Sequence, residues 1–113
     1  MEKRDRLYLQ HINDAVDKII AFTRGKTLRD FESDDLLQGA VIHQLLIIGE
    51  AANHVSDEFQ VLHPEFDWQG MIGMRNKLIH DYFRASIDEV WKTVQDDIPE
   101  LKKLLEIFFN NVT

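Results

Sequence analysis

Residues 34–59 read DDLLQGAVIHQLLIIGEAANHVSDEF, and the spacing of their apolar side chains decides the class of fold. Leu36, Leu37, Ala40, Val41, Leu45, Ile48, Ala52, Val55 and Phe59 recur mainly at intervals of three and four, the period of an α-helix. They occupy more than one face, so this long helix is expected at the centre of a bundle or at an interface. Ser33 and Asp34 are its N-cap candidates, because their short oxygen-bearing side chains can accept from free amides of the first turn.

The chain on either side follows the same period. Leu9, Ile12, Val16, Ile19 and Phe22 predict a helix over residues 5–24 that stops at Gly25, with the polar stretch GKTLRDFES as a connector. Downstream, Pro64 ends the central pattern and Asp67 is positioned to cap a shorter helix beginning near Trp68, with Met71, Ile72, Met74, Leu78 and Ile79 to bury. Ser86-Ile87-Asp88-Glu89 has the spacing of a capping box, so a fourth helix is expected from Ile87. It runs through Val90, Trp91, Val94, Ile98, Leu101, Leu104, Leu105 and Phe108, with Pro99 kinking or restarting it. No run alternates with period two for long enough to make a strand. The expected class is therefore all-α, a compact bundle of four or five helices forming one domain over residues 1–113.

Composition narrows the chemistry. At 113 residues and 44% hydrophobic, the chain can build one core. It has no cysteine, which excludes disulfides, thiolate nucleophiles and cysteine-ligated zinc and fits a reducing compartment. The charged N-terminus lacks the apolar run of a signal peptide and LLII, at 45–48, is far too short to span a bilayer, so a cytoplasmic location is expected. A net charge of -7 argues against a general nucleic-acid coat. The charge is unevenly spread, however: residues 30–74 contain acids but no Lys or Arg, after which Arg75, Lys77 and Arg84 follow within ten residues.

That basic spot coincides with RNKLIHDY, residues 75–82. Histidine titrates near neutrality and moves protons, while arginine offers a phosphate a planar fork of hydrogen bonds. The pair suits phosphoryl chemistry, such as RNA cleavage without metal, in which histidine handles the 2'-hydroxyl or leaving-group proton and arginine stabilises charge growing on the phosphate. The alternative open from spacing is that Arg75 and Asp81 are salt-bridging surface residues and His80 a helix-end cap. On one helix, Asn76 and His80 share a face, but Arg75 and His80 point about 140° apart. The arginine could wrap round, the helix could end or distort before His80, or two copies of the motif could face each other across a dimer. The last would pool two Arg, two Asn and two His in one cleft, and Gly70 and Gly73 would allow close backbone approach there.

A second set, His43, Glu50 and His54, falls on one stripe of the central helix. Glu50 and His54 could share a metal, but His43 lies about 10 Å further along the axis and no H-E-x-x-H motif supports a metal centre. A polar stripe on a partly buried helix is the preferred reading, and such a stripe could face the same cleft as His80. His11 and His63 have no evident companions. No phosphate-binding loop, nucleophile elbow or dinucleotide-binding turn occurs.

Three stretches, AVIHQLLIIGEAANHVSDEF, HPEFDWQGMIGMRNKLIHDYF and IDEVWKTVQDDIPELKKLL, carry a family likeness in order and spacing. The chain resembles the HepT-like branch of the HEPN domains, small all-helical prokaryotic proteins, and its R-N-x-x-x-H-D-Y matches that family's R-x4-6-H motif with a tyrosine two residues on. The resemblance implies an endoribonuclease toxin of a type VII toxin–antitoxin pair, working as a homodimer without metal or cofactor. It further implies a minimal nucleotidyltransferase antitoxin that transfers AMP from ATP to the motif tyrosine. Residue by residue, Arg75 and His80 match the catalytic pair, Asn76 and Asp81 the supporting polar positions and Tyr82 the modified tyrosine. Glu50 lies in a matching GEAA segment and, with His43, is a candidate to line the cleft. Because some HEPN proteins act only as binding or assembly modules, the alternative is a non-catalytic partner of a nucleotidyltransferase.

Overall fold

The periodic apolar residues do form helices, and among the described residues there is no strand. The computed structural model describes residues 2–80 and 86–111. Helix α1 spans Lys3–Thr23, α2 Leu28–Glu32, α3 Asp35–His54, α4 Asp57–Leu62 and α5 Trp68–His80. Helix α6, Ile87–Lys92, continues through a π-helical turn, Thr93–Asp97, into α7, Ile98–Asn111. The all-α class holds, as four principal rods with the short α2 and α4 between them.

Helix α3 packs against both α1 and α5, and α7 packs against α1. Val41, Ile42, Leu45, Ile48, Ala51 and Ala52 of α3 are buried with Leu9, Ile12, Val16 and Ile19 of α1 in one continuous core. Burial on several sides accounts for the breadth of apolar sequence in α3. Asp34 is its N-cap, accepting from the Leu37 amide at 3.0 Å. Leu36, however, is exposed rather than packed. Gly25 ends the first helical segment as expected, in a left-handed conformation (φ 74°) that glycine adopts without strain.

Three expectations are corrected. The connector after Gly25 contains α2, whose Thr27 and Asp30 make a reciprocal capping box and whose Phe31 is fully buried. Gln38 then reaches back from α3 to the carbonyls of Phe31 and Glu32, at 2.8 and 3.1 Å. Second, the long helix does not reach Phe59. It stops at His54, and Val55 and Ser56 are extended before α4 begins. Asp5 of α1, only 2% exposed, is the physical cause at this joint: its carboxylate accepts from the Ser56 amide at 2.8 Å and the Ser56 hydroxyl at 2.7 Å. Ser56 Oγ in turn accepts from the Phe59 amide at 3.2 Å, and Gln60 donates to the carbonyls of Ala52 and Val55 left at the end of α3. Third, Ser86 occupies the N-cap position of α6 but makes no side-chain cap, and Glu89 pairs with Lys77 of α5 instead.

Asp67 caps α5 as expected, accepting from the Gly70 amide at 2.9 Å. The last rod resumes α-helical form at Ile98, beside Pro99 and directly after the Asp96-Asp97 pair, as the restart reading expects. Widening occurs one turn earlier, where the Ile98 amide donates to the Thr93 carbonyl, an i→i−5 bond. The wider turn keeps the four-spaced Val90, Val94 and Ile98 on one buried line, which an ordinary α-helix would rotate by about 40° at each step.

The Asp5–Ser56 contact yields a stability prediction. Asp5→Ala leaves the Ser56 amide unpaired in a partly buried joint and should cost about 2 kcal/mol. In urea unfolding this appears as a lower midpoint at unchanged slope; an unchanged midpoint would deny the contact its role.

Candidate functional site

The site begins with a missing side chain. A Cβ placed on Gly49 would lie 2.1 Å from Arg75 Cβ and 2.8 Å from the Met71 carbonyl oxygen. Only glycine therefore permits the observed closeness of α3 and α5. This crossing sets Arg75 beside the next residue of α3, Glu50, with Nη2 and Oε2 2.7 Å apart. The second terminal nitrogen of the guanidinium, Nη1, donates to Asn76 Oδ1 at 3.0 Å. Glu50 Oε1 meets His54 Nε2 at 2.9 Å, and the His54 ring is stacked on Tyr8 of α1.

These side chains open onto a cleft of about 380 Å³, lined also by His11, His43, Leu46, Ile47 and Ile79. Helices α3 and α5 thus bring together Arg75, Glu50 and His43, with Asn76 bonded to the arginine, and α1 adds Tyr8 and His11. The His54 hydrogen bond, then the Arg75 charge, hold the Glu50 carboxyl below the usual carboxylate range against partial desolvation. The ion pair is half exposed, so it orients the guanidinium more than it stabilises the fold.

His80 is not brought into this cluster. It is the last described residue of α5, exposed, and does not line the cleft. Of the three geometries open from the sequence, two lose support: α5 remains helical through His80, and Arg75 turns toward Glu50 on α3 rather than round its own helix. Asp81, Tyr82 and Arg84 lie outside the described residues. Gly73 meets open space, while Gly70 lies against the Asp67 carboxylate, so within one chain the close approach belongs to Gly49. Among the described residues no three acidic or histidine side chains converge to hold a metal.

Tyr8, His11 and Gly49 are the participants missed from sequence. Tyr8 and His11 are three residues apart and therefore share a helix face, which was the available signal. Gly49 gave a weaker one, a glycine inside an otherwise strong helix. A second cleft, of about 360 Å³ between α3, α5, the π turn and α7, has the acids Glu65, Asp67, Asp97 and Glu100 on its rim. Burial, then the neighbouring Asp96 and Asp67, push the Asp97 carboxyl above its ordinary value.

Residues 12–108 match the sequence profile of the family described as Ribonuclease HepT-like. The chain belongs to that family. It is 44% identical over 106 residues to "Probable ribonuclease HepT" of Thermococcus cleftensis, covering 94% of this chain and 96% of the relative. A candidate RNase of Methanocaldococcus jannaschii is 37% identical over 108 residues, covering 95% and 99% of the two chains. Another, from Caldanaerobacter subterraneus subsp. tengcongensis, is 39% identical over 101 residues, covering 89% and 90%. No solved structure matches this HepT-like chain. Among the described residues no helix is long and apolar enough to cross a membrane.

Two predictions follow from Gly49 and Glu50. Gly49→Ala forces α3 and α5 apart and should cost about 2 kcal/mol, the scale of overpacking, with a matching fall in thermal midpoint. Glu50 has a folded pKa below its unfolded value, so its contribution is present above the ordinary carboxylate range and lost as pH falls through the folded value. Glu50→Gln should accordingly make stability less steeply dependent on pH below about 4.3. Unfolding midpoints followed from pH 7 to pH 3 check this, and parallel curves for the two proteins would contradict it.

Proposed function

We propose that this protein is a metal-independent endoribonuclease, the toxin half of a HepT/MNT toxin–antitoxin pair, with Arg75 and His80 as its catalytic residues. The observation that carries the reading is the held guanidinium of Arg75 in a chain of the HepT-like ribonuclease family: Glu50 and Asn76 fix it at the mouth of a cleft, five residues before His80. A guanidinium anchored in this way presents its remaining N–H groups to a phosphate without first losing rotamer freedom.

The chemistry needs no metal. A histidine removes the proton of a ribose 2'-hydroxyl, and the 2'-oxygen attacks the adjacent phosphorus. The P–O5' bond breaks and the departing oxygen takes up a proton, leaving a 2',3'-cyclic phosphate and a 5'-hydroxyl. Arg75 balances the charge that accumulates on the non-bridging oxygens. His80 points away from its own Arg75 on the helix, so His80 of one copy works with Arg75 of another in a homodimer. The half-exposed Ile79, Leu46 and Ile47 at the cleft edge support this arrangement, giving a second copy apolar surface to cover.

Control falls to a minimal nucleotidyltransferase antitoxin, with ATP as its AMP donor. Transfer joins the α-phosphorus of ATP to the Tyr82 oxygen and releases pyrophosphate. The bulky anion, two residues from His80, repels RNA phosphates and closes the cleft. Asp81 supports the site from the intervening position. The toxin acts in the cytoplasm, on cellular RNA.

In the presence of a chelator, the purified protein should cut single-stranded RNA, and His80→Ala or Arg75→Ala should each lower the rate by about a hundredfold or more. Mixing the two variants should restore part of the activity, because heterodimers retain one intact pair. Variants as active as the parent would remove both residues from catalysis, and mixtures that stay inactive would argue against a shared site.

A further inference from the structure

Beside Arg75 the cleft contains three rings that its charge chemistry does not require. Tyr8 stacks on His54 with centroids 5.3 Å apart and planes 21° apart, and His11 meets Tyr8 edge-on at 6.0 Å and 86°. Rings serving the core alone would be buried, yet His11 and His54 are exposed and Tyr8 is only half-buried. All three line the same cleft as Arg75.

The stack and the cation are also linked. His54 bonds one oxygen of Glu50 and Arg75 bonds the other, so a single carboxylate separates a π-surface from a phosphate-binding group. In a nucleotide, base and phosphate are joined with a comparable separation of functions, one flat and apolar, the other anionic. A protein of net charge -7 gains little from non-specific phosphate contacts, so affinity for RNA needs a non-ionic source. Stacking of unpaired bases on aromatic side chains is such a source, and it tolerates any base.

We propose that Tyr8, His11 and His54 form a base-stacking ledge, on which an unpaired nucleobase of the RNA lies while Arg75 holds a phosphate next to it. The assignment rests on the ribonuclease reading of Arg75 and gives it a substrate class: single-stranded segments, whose bases can leave their neighbours. A base inside an A-form duplex is stacked on both faces and cannot reach the ledge.

The test separates binding from cleavage. A single-stranded oligonucleotide with 2'-O-methyl riboses lacks the attacking hydroxyl, and an abasic oligomer of equal length and charge lacks the bases. The wild-type protein should bind the first at least about fivefold more tightly than the second, the scale of one stacked base. Tyr8→Leu should abolish that preference and Tyr8→Phe should keep it. His11→Ala, an exposed change that leaves the core intact, should weaken it, providing a second reading if Tyr8→Leu folds poorly. Equal binding of both oligomers by the wild type overturns the ledge, as does an undiminished preference in both Tyr8→Leu and His11→Ala. Failure of the wild type to cut unmethylated RNA strikes the ribonuclease reading alone, since base-dependent binding would still place RNA on the ledge.

Discussion

At Gly49 the backbones of α3 and α5 come close enough that one methyl group would collide with both a side chain and a carbonyl oxygen. Much of the site depends on that approach. It fixes which residue of α3 faces Arg75, and the glutamate that follows the glycine is the one that takes the guanidinium. The same carboxylate reaches His54, one turn further along, and so engages the ring face of Tyr8 on α1. Leu78, buried three residues beyond Arg75 on the neighbouring part of the same face, anchors α5 in the core. A polar cluster on a surface is normally loose; here its geometry is inherited from the packing beneath it.

The electrostatic balance at this spot is also informative. Arg75 is compensated by Glu50 even though the surrounding chain is acidic, so it is held rather than bare. A phosphate arriving at the cleft meets an oriented donor but must share it with a carboxylate already in place. That arrangement favours ligands that add contacts of another kind, and the apolar and aromatic walls of the cleft supply surfaces for them.

Most of the fold was legible because helical periodicity reports burial, and burial decides the helices here. The caps at Asp34 and Asp67, the stop at Gly25 and the start of α5 at Trp68 were all readable from local residues. What escaped was set by partners distant in sequence. The end of α3 depends on Asp5, 51 residues before Ser56, and apolar spacing runs through that joint without a mark. The box at Ser86 failed because Glu89 found Lys77 across the bundle. Thr27 and Asp30, by contrast, made a box that short polar stretches often resemble without forming. Within the site, the motif on α5 and the Glu50 segment were visible as residues. Their connection was not, because it turns on how closely two helices cross, a property held by a glycine with no side chain to notice. The nearness of Tyr8 and His11 belongs to the same category.

The π turn between α6 and α7 has a consequence for how this rod tolerates changes in length. It carries one residue more than an α-helical path would need to keep Val90, Val94 and Ile98 in line. Loss of a solvent-facing residue there, such as Gln95, lets the turn relax to ordinary α geometry with α7 still presenting Leu105 and Phe108 inward. Loss of a residue within α7 itself would instead swing every following side chain by about 100° and turn that apolar face toward water. The wide turn is thus a stored slack in the register of the last helix, placed where the chain can shorten by one step and keep its core.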